Sequence, residues 1–503
     1  MAKHANKPSD DQNDFENFCR ASLSGQPHLV IRRLIDDLVT PVAAVLKLGA
    51  DRSDIFLLES VKGGETRGRY SVIGLKPDQR FKILDGQPSM ADGQGTYQPL
   101  PSNPIAALRE FVEAAEVDVP PQMPPMLSGV FGYVGYDAIT WIDDVPLAVG
   151  QGLGTPEALL LRPTQMVVFD SVNQEIILSR RIEPVAEKDL QSTWQALKAE
   201  LDSLQETILG PLQAKPVLQA PKRQETTKRD SNTSIAQFHQ MVGKAKQYIV
   251  DGDVFQVVLS QRFSMPFTLP PFALYRSLRK SNPSPFLFFL AMDEFSIVGS
   301  SPEILVRVRN KKITIRPIAG TRPRGKDEAE DLALEVDLLS DQKERAEHLM
   351  LLDLGRNDAG RVAKPGTVKV TKSFVIERYS KVLHIVSNVE AELADDKNAL
   401  DALFAGFPHG TVSGAPKIRA MQIIAELEQD RRGIYAGAVG YFSAHGDLDT
   451  CIALRTAVIK DGKMYVQAGG GNVLDSDEEM ERQETLHKSS AVFDAATDAW
   501  RFV

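Results

Sequence analysis

Cysteine is nearly absent from this chain of 503 residues, which contains only Cys19 and Cys451. Two cysteines cannot build the disulfide framework of a small secreted protein, and such scarcity is typical of the reducing cytosol. The chain also lacks an apolar run of transmembrane length, and its polar first residues lack the apolar core of a signal peptide. We therefore expect a cytoplasmic protein that does not contact a membrane.

Basic residues are outnumbered, with 58 Lys and Arg against 67 Asp and Glu and a formal net charge of −9. A net negative charge disfavours nucleic acid as a partner, so any site for an anion must be a local cluster of basic groups. Hydrophobic residues make up 43% of the chain and charged residues 25%, as in an ordinary globular protein. The length exceeds what one hydrophobic core usually holds, which predicts two domains or one large composite domain.

Composition divides the chain into four parts. Residues 1–28 are polar and predict a flexible extension, and residues 210–234 are rich in Pro, Gln and charge and predict a linker. The two folded regions are then 29–209 and 235–503. Runs of strands mixed with runs of helices, without strict alternation, predict an α+β fold. One long helix is predicted over about 327–355.

The stretch from 452 to 488 combines several signals in a short length. A β-branched strand is followed by Asp461-Gly462, a two-residue hairpin signal, and by a return strand. Three consecutive glycines come next, and we predict a loop there, since without Cβ atoms the backbone can approach a ligand closely. This loop would contain Gly469, Gly470 and Gly471.

An acidic helix is predicted after the glycines. Its residues Glu481, Glu484 and Lys488 are three and four positions apart and therefore share one helix face. Carboxylates beside an anion-binding backbone would repel the anion unless a cation lay between them, so the pattern suggests a metal-bridged, carboxylate-bearing small molecule. A solvated acidic helix after a plain glycine turn explains the pattern about equally well.

A second acidic face is predicted in the helix around 341–358, where Glu344 and Glu347 are three residues apart and His348 follows. Two helices that each present a pair of glutamates could converge on one divalent cation. All-oxygen ligands favour Mg²⁺, and the sequence has neither the His-Glu-x-x-His spacing nor the cysteine set of a zinc site.

Other candidate residues are weaker on their own. The loop PIAGTRPRG (317–325) has two arginines that could hold a carboxylate, or it is a basic surface loop. The stretch FPHGTVSGAPK (407–417) lacks the Gly-Lys-Ser/Thr ending of a phosphate loop, but it offers the hydroxyl of Thr411 near a helix start. Isolated residues such as His384 and Glu303 are more often structural than catalytic.

Together these stretches resemble the chorismate-utilising enzymes, from about Gly252 to Lys488. The motifs that carry the resemblance are VFQVVLSQRF (254–263), NPSPFLFF (282–289), GSSPEILVR (299–307), PIAGTRPRG, KERAEHLMLLDLGRND (343–358), HGTVSGAPK, RGIYAGAVGYFS (432–443) and the stretch from 452 to 488. The resemblance implies large mixed or antiparallel sheets with helices outside.

The resemblance also implies roles for individual residues. Glu347 and Glu484 would bind Mg²⁺, supported by Glu344 and Glu481, and the metal would hold the ring carboxylate of chorismate. Glu303 would be the general acid for the departing hydroxyl, and His384 would assist loss of pyruvate. The implied contacts to the substrate are Gly320, Thr321, Thr411, Tyr435, Arg455, Gly469, Gly470, Gly471 and Lys488.

Two positions indicate the reaction. Gln256 stands where family members that add water have a lysine base, and Ala319 stands where others have a lysine that attacks the ring. Both residues favour ammonia as the nucleophile, followed by loss of pyruvate to give anthranilate. The alternatives are an enzyme that stops at 2-amino-2-deoxyisochorismate, an aminodeoxychorismate synthase, and a non-catalytic tryptophan-binding subunit.

The first half resembles the family's regulatory region. LLES (57–60) and NPSPF (282–286) imply a feedback pocket for L-tryptophan, with Phe286-Leu287 where Tyr-Met is common. The implied pocket residues are Glu59, Ser60, Pro285, Phe286, Leu287 and Tyr441. Neither cysteine lies in a glycine-flanked nucleophile turn, so ammonia from glutamine would require a glutamine amidotransferase subunit as a partner.

Overall fold

The computed structural model describes residues 10–62, 66–92, 95–212, 229–379 and 382–503. Much of it is β-structure. The strands in chain order are β1 (His28–Ile35), β2 (Phe56–Lys62), β3 (Thr66–Leu84), β4 (Gln87–Asp92), β5 (Tyr97–Pro99), β6 (Gly129–Val134), β7 (Ala158–Asp170), β8 (Glu175–Ile182), β9 (Asp230–Ser231), β10 (Gln256–Pro266), β11 (Phe286–Ala291), β12 (Ser296–Ser301), β13 (Ile304–Arg309), β14 (Lys312–Ile315), β15 (Ile318–Pro323), β16 (Lys369–Arg378), β17 (Val382–Glu392), β18 (Gly414–Ala415), β19 (Ala438–Ser443), β20 (Leu448–Ile452), β21 (Thr456–Lys460) and β22 (Lys463–Asn472).

The helices are fewer than the strands and are spread along the chain. In chain order they are α1 (Asp10–Leu23), α2 (Pro41–Leu48), α3 (Pro104–Glu113), α4 (Ile139–Ile142), α5 (Leu190–Leu209), α6 (Ile235–Val250), α7 (Pro271–Ser281), α8 (Glu328–Ser340), α9 (Gln342–Gly360), α10 (Ala399–Gly406), α11 (Gly410–Ser413), α12 (Lys417–Leu427) and α13 (Glu478–Asp498). Among the described residues, no helix is long and apolar enough to cross a membrane.

Antiparallel pairing connects the strands into two sheets that share β3 and β7. The first sheet runs in the order β1, β8, β7, β3, β2, β11, β12, β21, β22, β10. The second sheet continues from β7 through β6, β19, β20, β13 and β14 to β17, which also pairs with β15 and β16. The pairing of β3 with β7 shifts register between Pro77 and Gln79, where the two strands pass between the sheets.

The two sheets face each other across a core made of strand residues, and the helices cover their outer faces. In β2, Phe56 points into the central core while Leu57 points to the helix-covered side, as the alternation of a strand requires. Phe56 stacks on Phe131 of β6 with ring centroids 4.7 Å apart. The α+β prediction, with large sheets and helices outside, is confirmed.

The two halves of the chain are joined in the sheets. β2 from the first half pairs with β11 from the second, and β6 pairs with β19. The boundary predicted between residues 29–209 and 235–503 is therefore crossed by two strand ladders. Most of the predicted linker over 210–234 lies outside the described residues.

Two local predictions need correction. Residues 10–23, predicted as part of a flexible extension, form α1, because Phe18 is buried against Trp194 of α5 with ring centroids 5.3 Å apart. The single helix predicted over about 327–355 is two helices. α8 ends at Ser340, and Asp341 caps α9 by accepting the backbone N–H groups of Lys343 and Glu344.

Candidate active site

The centre of the candidate site lies where the chain passes between the two sheets. Glu303 lies between β12 of the first sheet and β13 of the second, and Arg455 lies between β20 of the second and β21 of the first. The two crossings are neighbours because β12 pairs with β21 and β13 with β20. The backbone N–H of Ile452 donates to the carbonyl of Glu303 at 3.0 Å. Two residues far apart in sequence are thus brought to one opening.

Glu303 is a buried acid, with 4% of its surface exposed. No hydrogen-bond partner for Oε1 is found among the described residues, and Oε1 lies 3.5 Å from Nδ1 of His409. Burial raises the pKa of Glu303 to about 8, although a hydrogen bond with the Thr411 hydroxyl and the positive charge of Lys488 oppose the shift. The carboxyl group is therefore mostly protonated at neutral pH and can donate a proton.

His384 lies on β17 with Thr321 opposite it on β15. Its Nδ1 is 2.9 Å from the carbonyl oxygen of Gly320, and since that oxygen can only accept, Nδ1 carries the hydrogen and Nε2 is free to accept a proton. Burial lowers the pKa of His384 to about 4, and the charge of Arg455 adds to the effect. The imidazole is therefore neutral at physiological pH.

Arg455 is half-buried, and within the described ranges no carboxylate pairs with its guanidinium. Burial lowers its pKa, because the charged form loses water. Its backbone has φ +48°, a left-handed conformation that is uncommon for a residue with a side chain. An unpaired guanidinium beside the neutral His384 is suited to bind a carboxylate from a ligand.

The three glycines predicted as a loop are the last part of strand β22. Gly469, Gly470 and Gly471 pair with Ser260, Leu259 and Val258 of β10. Side chains would not fit there: a Cβ on Gly469 would lie 2.9 Å from the Tyr435 hydroxyl, and one on Gly471 would overlap the Gln256 amide. The loop prediction is wrong because glycine is required here for space beside the sheet and not for a turn.

The four predicted acidic ligands lie on two helices beside these glycines. A Cβ on Gly470 would be 3.0 Å from Oε2 of Glu481 and 3.5 Å from Oε2 of Glu484. On the other helix, Glu347 accepts a hydrogen bond of 3.1 Å from the Gln256 amide, whose nitrogen also borders Gly471. Burial, and then the neighbouring charge of Glu347, raise the pKa of Glu344, although Arg322 opposes this.

These residues fit a hard cation such as Mg²⁺. Oε2 of Glu481 is buried and has no hydrogen-bond partner among the described residues, and a cation would satisfy it. Burial, together with the charge of Glu484, raises the pKa of Glu481. In the described parts of the chain, no three His, Cys, Asp or Glu side chains form a ready metal cage. Mg²⁺ commonly takes only one or two carboxylates and fills its octahedron with water and substrate.

Lys488 connects the acidic helix to the glycine strand. Its ammonium donates to the carbonyl of Gly469 at 3.0 Å and pairs with Glu484 at 2.6 Å. A cation on Glu484 would have to share that carboxylate with the lysine. The same ammonium is close enough to Glu303 to oppose its pKa shift, so it faces the opening between the sheets.

The remaining predicted contact residues surround the same opening. Gly320 has φ +70° at a bulge in β15, which a side chain would strain, and a Cβ there would be 3.2 Å from Oε2 of Glu344. The hydroxyl of Tyr435 borders Gly469, and burial raises its pKa to about 12. Thr411 lies in α11, with its hydroxyl 2.9 Å from Nδ1 of His409.

Two further residues near this site were not predicted from the sequence. His409 is an isolated histidine in a turn, and only the fold places it against Glu303. Arg432 forms a buried ion pair with Glu428 and donates to the carbonyls of Val412 and Val258, so it joins the turn before α12 to β10. Helical spacing could not have indicated this pair, because both residues follow the end of α12 at Leu427.

Most residues predicted for a feedback pocket lie where the two halves of the chain meet. Ser60 and Glu59 of β2 lie opposite Phe286 and Leu287 of β11. Pro285 precedes β11, and Tyr441 stacks on Phe131 in the central core at 5.4 Å. The structure thus brings Glu59, Ser60, Phe286 and Leu287 to adjoining strands, whereas Tyr441 lies on β19, which pairs with β6 and β20.

Glu59 in this pocket is already bound by the protein. It accepts 2.6 Å and 3.0 Å bonds from the Arg279 guanidinium and a further bond from the Tyr275 hydroxyl. A ligand amine at this carboxylate would join an existing ion pair.

Comparison with known proteins agrees with this fold. A family model described as chorismate binding enzyme matches residues 53–494, and the chain belongs to that family. Its relatives include anthranilate synthase component 1 of Cereibacter sphaeroides, 50% identical over 97% of this chain and 98% of the relative. Anthranilate synthase component 1 of Pseudomonas aeruginosa is 45% identical over 95% of this chain and 98% of the relative.

A solved structure gives the same assignment. Anthranilate synthase component I from Streptococcus pneumoniae has a TM-score of 0.74 and 35% identity, covering 92% of this chain and 99% of that one. Within the chorismate-binding enzymes, the chain therefore groups with the anthranilate synthase component 1 proteins.

Proposed function

We propose that the protein converts chorismate and ammonia to anthranilate, pyruvate and water, as the first step of tryptophan biosynthesis in the cytoplasm. The observation that carries the proposal is that a buried, protonated acid, Glu303, and a neutral base, His384, lie near the guanidinium of Arg455, to which the described residues supply no carboxylate. An acid and a base with pKa values moved in opposite directions by burial are typical of an active site.

The acid acts in the first stage of the reaction. Glu303 donates its proton to the ring hydroxyl, the C–O bond breaks, and the hydroxyl leaves as water while ammonia forms a C–N bond to the ring. The new ammonium group then loses one proton, which balances the proton given up by Glu303. Hydroxide is a poor leaving group, which is why a protonated carboxyl matters here. Gln256 cannot accept a proton at neutral pH, which suits ammonia because it needs no activation.

The base acts in the second stage. His384 uses Nε2 to accept the proton from the ring carbon that now bears nitrogen. The electrons of that C–H bond complete the aromatic ring, and the C–O bond between the ring and the enolpyruvyl group breaks. The enolpyruvate that leaves takes up a proton on its methylene carbon, which balances the proton taken by His384, and becomes pyruvate. Arg455 holds a substrate carboxylate through both stages, and Lys488 is positioned to assist it. The hydroxyls of Thr321, Thr411 and Tyr435 orient the ring.

Glu347 and Glu484 are the residues we expect to hold Mg²⁺, with Glu344 and Glu481 supporting them. When bound, the ion offsets negative charge on the ring carboxylate. The buried, unpartnered oxygen of Glu481 supports this assignment.

The ammonia would come from glutamine through a glutamine amidotransferase partner. Cys451 is 2% exposed and burial raises the pKa of its thiol, which disfavours the thiolate that a glutaminase needs. Cys19 lies in α1, which packs against α5 and β1. The component 1 designation of the relatives also implies a second component.

Feedback inhibition by L-tryptophan at the pocket around Ser60 is supported by continuity of the sheet. Glu59 lies opposite Leu287, Leu287 lies opposite Ser300, and the N–H of Ser300 donates to the carbonyl of Arg455 at 3.2 Å. Three strand steps of roughly 4.8 Å therefore separate the pocket from the backbone of the proposed carboxylate-binding residue.

The first experiment is to incubate the purified chain alone with chorismate, Mg²⁺ and ammonium at alkaline pH and to follow anthranilate fluorescence. We expect a Mg²⁺-dependent signal that is absent when glutamine is the sole nitrogen donor and absent in Glu303→Gln. Chorismate consumption without fluorescence, with 2-amino-2-deoxyisochorismate found by mass spectrometry, would favour the enzyme that does not eliminate pyruvate. Formation of isochorismate would contradict the role given to Gln256.

A further inference from the structure

His409 is a buried histidine whose hydrogen-bonding state is fixed by the backbone. It precedes α11, and its Nδ1 accepts the backbone N–H of Thr411 at 3.3 Å. An imidazole nitrogen that accepts has no hydrogen of its own, so the ring hydrogen is on Nε2. Only 3% of the residue is exposed, and burial, followed by the charge of Lys417, lowers its pKa to about 3. The ring is neutral throughout the physiological range.

The lone pair of Nδ1 faces two groups of the active site. The hydroxyl of Thr411 is 2.9 Å away and Oε1 of Glu303 is 3.5 Å away. Because Nδ1 only accepts, the Thr411 hydroxyl must donate to it, which leaves the Thr411 oxygen as an acceptor toward the site. A carboxylate at Oε1 would be repelled by the lone pair, whereas a carboxylic acid would be attracted.

We propose that His409 is a positioning residue that keeps Thr411 as a hydrogen-bond acceptor and keeps Glu303 in its acid form. The part of this inference that concerns turnover rests on the proposed function. The hydrogen bonding itself does not depend on it.

Other charged groups act on Glu303 from neighbouring elements. Lys488 of α13 favours the carboxylate, and Tyr379, after β16, lies near enough for its own pKa to respond to Glu303. On the other side of His409, Lys417 is paired with Asp358 at 2.9 Å. Within this set of described groups, His409 presents a lone pair to Oε1 of Glu303, whereas Lys488 favours the carboxylate.

The chain offers a matched pair of substitutions. His409→Leu keeps much of the volume and removes the acceptor. His409→Asn places Oδ1 where Nδ1 stands and remains a good cap for the helix start. In the leucine variant the Thr411 hydroxyl is free to donate to the Glu303 carboxylate and stabilise it. His409→Ala removes the acceptor without the bulk of leucine and carries the same expectation.

The first measurement is the pH dependence of kcat with ammonium as nitrogen donor. We expect the alkaline limb to move down by about one pH unit in His409→Leu and to stay in place in His409→Asn, so that the leucine variant loses about tenfold in rate near pH 9. In a Thr411→Val background, His409→Leu should give a smaller shift. A role in packing alone predicts lower rates at every pH with the limb unmoved, and that result would overturn the proposal.

The second measurement does not require turnover. Infrared difference spectra between the wild type and Glu303→Gln isolate the carboxylic acid band of Glu303, which is titrated from pH 5 to pH 10. The band should disappear at lower pH in His409→Leu and His409→Ala than in the wild type. The same titration midpoint in all variants would refute the proposal even if the protein makes no anthranilate, whereas a shifted midpoint without anthranilate would refute only the proposed function.

Discussion

Replacing Glu303 by glutamine should make the folded protein more stable at alkaline pH while it removes activity. The glutamine amide has the shape of the protonated acid but cannot ionise. In the wild type, raising the pH forces a negative charge into a position where 4% of the residue is exposed and Oε1 has no hydrogen-bond partner in the described chain. The substitution removes that cost.

The size of the effect follows from the two pKa values. Burial raises the pKa of Glu303 from an ordinary 4.5 to about 8 in the folded protein. Between these two values the folded state binds more protons than the unfolded state. The contribution of Glu303 to the free energy of unfolding is therefore fully present below pH 4.5 and is lost as the pH rises through 8. The difference between these two pKa values corresponds to a change of ~5 kcal/mol at most in the free energy of unfolding. The advantage of the glutamine variant should therefore grow from near zero at pH 4.5 to a few kcal/mol at pH 9.

The assay is urea unfolding of both proteins at pH 5, 7 and 9. Subtracting the two free energies of unfolding at each pH cancels the contribution of every other titrating group. Glu294→Gln serves as the control, since this glutamate is exposed in the turn between β11 and β12 and should show a small difference that does not change with pH. If the difference in unfolding free energy between Glu303→Gln and the wild type also did not change with pH, Glu303 would already be ionised in the folded protein. Its assignment as the general acid would then be wrong.

Three further predictions concern other parts of the site. A Cβ on Gly471 would overlap the Gln256 amide, so Gly471→Ala should break the hydrogen bond from Gln256 to Glu347 and lower the rate of anthranilate formation by about 10- to 100-fold. The control is Gly243→Ala, which has open space around it and should leave the rate unchanged. Steady-state rates of the two variants test this prediction. Glu347→Gln should abolish Mg²⁺-dependent turnover and leave the circular dichroism unchanged, and activity measured across a Mg²⁺ titration would expose an error in the ligand assignment. Ser60→Phe should relieve inhibition by tryptophan at unchanged ammonia-dependent activity, and an unchanged inhibition curve would exclude the pocket.

Local patterns in the sequence predicted much of the local structure. The Asp461-Gly462 hairpin is present, with Lys460 opposite Lys463 on β21 and β22. The spacing of three between glutamates does place Glu481 and Glu484 together beside Gly470. These features depend on a few neighbouring residues, and their geometry is set by strand alternation and helix periodicity.

Features that depend on distant contacts could not be read in the same way. α1 looks like a polar tail until Phe18 meets Trp194. The glycines of β22 look like a loop because the side chains that exclude a Cβ, such as Gln256 and Tyr435, come from other elements. The position of Glu303 at a crossing between sheets follows from strand pairings that no local pattern contains.

The sharing of sheets between the two halves has a practical consequence for anyone who wishes to make either half alone. A fragment that begins after residue 234 would leave β11 without β2 and β19 without β6, so two rows of backbone N–H and C=O groups would become open edges. Open edges of this length pair with other chains and drive aggregation. The two halves of the chain should therefore be produced and engineered as one piece.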